Sequence, residues 1–200
     1  MRIVSVSVGL VVASIAGNAF ADPPAPPVQI ESIVYGGTAC PAGTAYVDIS
    51  PDGSGFSLGF AEFGVEVGPG LPITASYGSC QASVRVAAAP GYTYAIAGVE
   101  YTGYAEIAEG TRGSLRTLVY VQGAGPSSSA STALVGPFNG AFQIENDFYD
   151  EQLVWAPCNV ARNVNVRSAV SLRRSDADSE SHVVIDRATS FRLVWQECSN

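Results

Sequence analysis

The stretch Pro90-Gly91-Tyr92-Thr93-Tyr94-Ala95-Ile96-Ala97-Gly98-Val99-Glu100-Tyr101-Thr102-Gly103-Tyr104-Ala105-Glu106-Ile107 is the longest aromatic, strand-like run in the chain. Aromatic and β-branched residues fit a pleated, half-buried surface. Tyr92, Tyr94 and Ile96 share one parity; Val99 and Tyr101 share the other. A phase slip at Ala97-Gly98 puts all five on one face, which is how a β-bulge reads in sequence. The stretch is expected to be the central strand of a β-sandwich, with these five side chains in its core. Tyr104, beyond Gly103, is left as a surface residue.

Outward from this run lie two cysteine pairs, Cys40 with Cys80 before it and Cys158 with Cys198 after it. Residues 1–21 read as a signal peptide. Arg2 supplies a positive start, an apolar run follows, and Ala19-Phe20-Ala21 fits the small-x-small cleavage rule. The apolar run is too short for a comfortable membrane span. An even cysteine count in an exported chain argues for two disulfides. Four cysteines allow three connectivities. Cys40–Cys80 and Cys158–Cys198 are favoured because they join sequence neighbours and close loops of similar length. Each would contribute roughly 4 kcal/mol on the chain-entropy account. A zinc site competes poorly, since there is no Cys-x-x-Cys and the sole histidine is His182.

The remaining punctuation is that of an all-β chain. Asp22-Pro23-Pro24-Ala25-Pro26-Pro27 reads as an extended N-terminal spacer. Residues 28–35, 45–50, 56–63, 80–88, 114–122 and 164–172 read as strands between turns rich in Gly and Pro. Val164, Val166, Val170 and Leu172 alternate with Asn165, Arg167, Ser171 and Arg173, the pattern of a half-buried antiparallel strand. Residues 123–132 read as a flexible loop, 138–149 as a less regular piece, and 182–187 with 190–196 as a last pair of strands. No segment keeps a helical apolar period. The expected fold is a single antiparallel two-sheet β-sandwich over residues 28–200, jelly-roll or immunoglobulin-like, with two disulfides.

The 200 residues carry a formal charge of −8, with arginine as the only cation besides the chain terminus and His182. An acidic chain suits neither nucleic acid nor an anionic membrane, both of which select clustered positive charge. No membrane association is expected of the mature form.

The order of several short pieces resembles a secreted family catalogued as domain of unknown function 4360. They are Gly36-Gly37-Thr38-Ala39-Cys40-Pro41-Ala42-Gly43, Gly68-Pro69-Gly70-Leu71-Pro72-Ile73-Thr74, Cys80-Gln81, Pro90-Gly91-Tyr92, Tyr101-Thr102-Gly103-Tyr104, Gly136-Pro137, Pro157-Cys158 and Trp195-Gln196-Glu197-Cys198. Ala39, Ser79 and Thr102 depart from the family's usual Gly, Asn and Arg. The resemblance implies the four-cysteine frame and an exported location, and brings no activity with it.

Four groups of residues are candidates for chemistry. Glu145, Asp147, Asp150 and Glu151 form the densest acidic patch. Such carboxylates could serve glycoside hydrolysis or hold Ca²⁺, against the simpler reading of a solvated acidic loop. Asp48 with Asp52-Gly53-Ser54 lacks the ligand spacing of a calcium loop and reads as a hairpin turn. His182 could pair with a serine and with Asp176, Asp178 or Asp186, but no Gly-x-Ser-x-Gly elbow presents a nucleophile. Among Tyr92, Tyr94, Tyr101, Tyr104, Phe148, Tyr149, Trp155 and Trp195, most belong in a core of this size. Tyr104 and Tyr149, beside turns and acids, are the ones expected at the surface, where an aromatic face could stack on a sugar. The candidate ligand contacts are therefore Tyr104, Asp147, Tyr149, Asp150 and Glu151. No catalytic, cofactor or metal residue is assigned. The reading favours a secreted or extracellular protein (periplasmic in a Gram-negative source) that is a non-catalytic binding or structural and interaction protein, with extracellular carbohydrate or protein as its partner. The alternative is a carbohydrate-binding module or an extracellular carboxylate-dependent hydrolase. N-terminal sequencing of the exported product is expected to begin at Asp22; retention of residues 1–21 would overturn the cleavage reading.

Overall fold

The computed structural model describes residues 28–199 except 53 and 62, without the side chains of residues 150 and 187–190. The expected signal peptide and the spacer at 22–27 lie outside the described residues. The strands are β1 (Val28–Gly36), β2 (Ala45–Ile49), β3 (Gly55–Phe60), β4 (Gly64–Val67), β5 (Tyr77–Ala88), β6 (Tyr92–Ile107), β7 (Arg112–Val121), β8 (Ser127–Val135), β9 (Phe138–Asp147), β10 (Asn163–Arg173) and β11 (Ser181–Glu197). Helical structure among the described residues is confined to 3-10 turns at Ile73–Ser76 and Asp150–Gln152.

The strands form two antiparallel sheets. One is five-stranded, in the order β1-β5-β10-β7-β8; the other is six-stranded, in the order β2-β3-β11-β6-β9 with β4 also on β11. The pairing is nested. β7 pairs with β8, β6 with β9, β5 with β10 and β4 with β11. Rolling that ribbon sets β10 beside β7 and β11 beside β6. This is jelly-roll order, which resolves the choice between the two sandwich types. β1 extends the first sheet beside β5, and the β2–β3 hairpin extends the second along the later part of β11.

The run that opens the sequence reading is β6, and its phase slip is a bulge. Gly98 lies opposite Arg192 and Ile96 opposite Leu193, so Ala97 has no partner position. Tyr94, Ile96, Val99 and Tyr101 are buried, and Tyr92 packs partly buried against them. β6 is not the central strand, however. It lies between β11 and the edge strand β9, and β11 holds the centre.

Three further expectations change. The last pair of strands is one 17-residue strand, β11. Residues 187–190 contain no Gly or Pro to reverse the chain, and register shifts along β11 absorb the bend instead. Most of the expected loop at 123–132 belongs to β8, which pairs along β7. Its serines obscured it, but an edge strand with a wet outer face tolerates serine, and Ser128 and Leu134 are buried. Residues 138–147 form the regular strand β9.

The core is apolar with one polar thread. Phe56 and Phe191 stack at 4.2 Å. Phe60 meets Phe63 edge-on at 4.9 Å. The Tyr101 hydroxyl lies 2.6 Å from Thr117 Oγ1 and 2.7 Å from Ser168 Oγ, so it reaches from β6 into both β7 and β10 of the opposite sheet. Asn146 Nδ2 donates to the same Thr117 hydroxyl, and Thr132 donates to Asn146 Oδ1. Both expected disulfides are present: Cys40–Cys80 and Cys158–Cys198, with Cα atoms 5.4 and 6.0 Å apart.

Burial pushes the Tyr101 hydroxyl up to about 12, while the Ser168 and Thr117 hydroxyls pull the other way. A raised tyrosine value means the folded state holds its proton longer than the unfolded chain does. Its stabilising contribution is complete below about pH 10 and is lost as pH rises through about 12. Tyr101→Phe leaves two buried hydroxyls short of a partner, so it is expected to cost about 1–3 kcal/mol in urea unfolding; an unchanged midpoint would show the network to be dispensable.

Candidate functional site

The outer face of the six-stranded sheet is where the polar residues of β2, β3, β6, β9 and β11 meet. Alternation sends Phe56 and Leu58 inward, while their β3 neighbours Gly55 and Ser57 face solvent. Asp48 of β2 lies in register with Ser57. On β6 the bulge at Ala97 resets the parity, so that Gly98, Glu100, Thr102 and Tyr104 share the outward side. Across from them β9 presents Asp147, Glu145, Gln143 and Ala141 in register.

A groove of about 590 Å³ lies on this face, lined by Asp48, Ser50, Ser54, Glu100, Glu145 and Arg192, with Phe56 and Phe191 beneath. Arg192 bonds Asp147 at 2.8 Å and stands 4.0 Å from Glu145. This ion pair crosses β6 at Gly98. A Cβ there would sit 2.6 Å from Asp147 Oδ1 and 3.4 Å from Arg192 Nη2, so the missing side chain gives the pair its path. Glu100 and Glu145 are direct cross-strand neighbours. Like charges placed opposite one another disfavour the sheet, and Arg192 beside Glu145 offsets part of that repulsion. Tyr46, on the outer side of β2 two residues before Asp48, lays its ring against Gly59, where a Cβ would be 1.9 Å from it.

The sequence-level candidates divide. Asp147 belongs to this face, and so does Tyr104, but at its far end: Tyr104 is opposite Ala141 and Asp147 opposite Gly98. Six residues of strand separate them, about 20 Å. Tyr104 donates to Asn139 Oδ1 and lies 6.1 Å from the His182 ring. Tyr149 and Glu151 are exposed in the segment after β9, away from the groove lining. The side chain of Asp150 lies outside the described residues. The acids and aromatics of residues 138–155 therefore do not line one surface, since Phe148 is in the core and Tyr149 beside it is exposed. Glu100 and Arg192 were not singled out from sequence. Only the β6–β9 register and the single strand β11 bring them to Glu145, and no local pattern announces that.

The hydrolase arrangement around His182 does not assemble among the described residues. His182 stands on β11 in register with Glu66 on one side and Glu106 on the other. Asp176 is committed to its own turn. It accepts from the hydroxyls of Ser175 and Ser179 and from the backbone N–H groups of Asp178 and Ser179. No group of three or more His, Cys, Asp or Glu among the described residues is arranged to hold a metal ion.

Comparison with known proteins gives a family match over nearly the whole described chain. The model of a family described as Domain of unknown function (DUF4360) matches residues 26–198. A relative named as an uncharacterized secreted protein of Arthroderma benhamiae is 29% identical over 178 residues, covering 86% of this chain and 73% of its own. Among solved structures, that of TmCBM61 in complex with β-1,4-galactotriose covers 84% of this chain and 91% of its own, at 10% identity and a TM-score of 0.35.

The Asp176 turn carries its own pH signature. The Ser179 and Ser175 hydroxyls, followed by the two N–H groups, lower its carboxyl from 3.8 to about 2. A lowered carboxylate value stabilises the fold above the unfolded value, and that contribution is lost as pH falls from about 4 to about 2. Carboxyl ¹³C NMR is expected to place the Asp176 midpoint near 2 and to find it raised in Ser179→Ala; a midpoint near 3.8 in the parent would show the turn to be unformed.

Proposed function

We propose that this chain, which belongs to the family described as Domain of unknown function (DUF4360), is an exported, non-catalytic binding protein. Its ligand surface is the outer face of the six-stranded sheet, and its ligand is a neutral, hydroxyl-rich carbohydrate chain. The N-terminal segment at 1–21, two disulfides suited to an oxidising compartment and a relative named as secreted support export.

The observation that carries the binding reading is the groove itself. Carboxylates from Asp48, Glu100 and Glu145 and hydroxyls from Ser50 and Ser54 line it together with the Arg192 guanidinium, which bonds Asp147 at 2.8 Å and stands 4.0 Å from Glu145. Ionised carboxylates only accept hydrogen bonds, and a guanidinium only donates. A sugar hydroxyl does both, so a mixed set of fixed acceptors and donors reads vicinal hydroxyl pairs. Tyr46, two residues before Asp48 on the same side of β2 and 55% exposed, offers an aromatic ring of the kind that stacks on an apolar sugar face. A few convergent polar groups in a concave site set orientation.

One observation favours the hydrolase as a second reading. Glu100 and Glu145 are register partners, which sets their Cβ atoms roughly 5 Å apart. Carboxyl groups carried on Cβ atoms that close are able to reach the separation of about 5–5.5 Å that retaining glycosidases use.

Sedimentation with insoluble neutral polysaccharides, together with an assay for released reducing ends, separates the two. Glu100→Gln and Glu145→Gln are each expected to weaken binding about tenfold, close to 1.4 kcal/mol, while Tyr149→Ala binds like the parent and no reducing ends appear. Release of reducing ends that Glu145→Gln abolishes would replace the binding reading with the hydrolase. Failure to sediment with any neutral glycan would overturn the proposal.

A further inference from the structure

Charge in this sandwich is largely sorted by sheet, with Arg192 set among the acids and Glu31 among the arginines. The outer face of the six-stranded sheet carries Asp48, Glu66, Glu100, Glu106, Glu145 and Asp147. The outer face of the five-stranded sheet carries Arg85, Arg112, Arg116, Arg167 and Arg173. All five arginines are exposed. Glu31 bonds Arg85 at 2.7 Å, and Arg167 donates to the Tyr77 hydroxyl at 3.0 Å. Arg112, Arg116 and Arg173 have no ion-pair partner among the described residues.

The register shows how these cations are set out. Arg85 lies opposite Asn163 of β10, Arg167 is on β10 itself, Arg116 is opposite Ala169, and Arg112 is opposite Arg173. Asn163 to Arg173 is ten residues of strand, about 33 Å. The cations thus form a stripe along β10, interleaved with Ser83, Ser114, Asn163 and Ser171 on the same outer side. Arg112 and Arg173 are like charges directly opposite each other. That placement costs stability in a sheet, and a local rule broken without a compensating contact marks a site under functional constraint.

We propose that this stripe binds an anionic polysaccharide, a chain of sugars bearing carboxylate or sulfate groups, on the face opposite the groove. Guanidinium forks match carboxylates and sulfates in geometry as well as charge. The interleaved hydroxyls and amides suit the sugar hydroxyls between them. The face lacks the row of aromatic rings on which single-stranded nucleic acid stacks its bases; Tyr77 and Tyr120 lie at separate register positions on different strands. The net charge of −8 does not oppose this. A polyanion meets the local field of the face it approaches; Glu31 is paired with Arg85 there, and Asp48, Glu66, Glu100, Glu106, Glu145 and Asp147 are on the other side of the core.

The probe is polygalacturonate in affinity electrophoresis of the exported chain, with a neutral glucan and single-stranded DNA in parallel gels. Polygalacturonate or a sulfated glycan is expected to retard the protein, with at least tenfold weaker binding when salt rises from 20 to 300 mM. The Arg116→Gln/Arg173→Gln variant is expected to lose at least tenfold while melting like the parent. Glu100→Gln/Glu145→Gln, which tests the groove, is expected to keep full polyanion binding, so failure of one face does not read as failure of the other. Three results would overturn the proposal: no retardation by either polyanion, equal retardation of the arginine variant, or preference for the DNA. So would salt-sensitive self-association abolished by the arginine changes without polyanion binding, which would make the two charged faces partners for each other.

Discussion

Apolar burial drives this sandwich together, but it does not say how one sheet sits over the other, because it has no direction. The Tyr101 hydroxyl does. It leaves β6, crosses the core and meets hydroxyls on β7 and β10 of the facing sheet. Asn146 of β9 and Thr132 of β8 extend the same chain of bonds. A shift of either sheet would strand these groups in an apolar medium, where an unmade bond costs more than a made one contributes. The position of one sheet on the other is thereby fixed, and with it the placement of both outer faces.

The sequence disclosed most where one face is dry and the other wet. β10 alternates cleanly because Val164, Val166, Val170 and Leu172 are all core. The bulge in β6 was legible because the apolar set changes parity on either side of Ala97. What escaped was structure held by partners rather than by pattern. β8 carries little apolar signal because it is an edge strand whose order comes from β7. β11 looked like two strands because its side-chain parity breaks at bulges, a feature that imitates a turn. The candidate site shared this fate. Glu100, Glu145 and Arg192 are far apart in sequence, and only register joins them.

Net charge says little about any one face of this sandwich. A value of −8 describes the whole chain, whereas a ligand meets one face. Each strand projects alternate residues to opposite sides, so a sandwich can place acids on one outer surface and arginines on the other while its core remains neutral. The assignment of residues to sheets, which the sequence does not announce, decides what each surface attracts.

The nested pairing has a consequence for how the chain comes to be folded at all. Within the nested ribbon from β4 to β11, the closest contacts in sequence belong to the innermost hairpin, β7 with β8, and the most distant to the outermost ribs, β4 with β11. Loop-closure entropy favours zipping from the middle outward. A ribosome or a secretion channel releases the chain from one end. The strands that emerge early, β4 and β6 among them, must therefore wait with unsatisfied edges until β9 and β11 arrive. Order of birth and order of closure run against each other, so the interval before the last strand docks is when this protein is most exposed to pairing with the wrong neighbour.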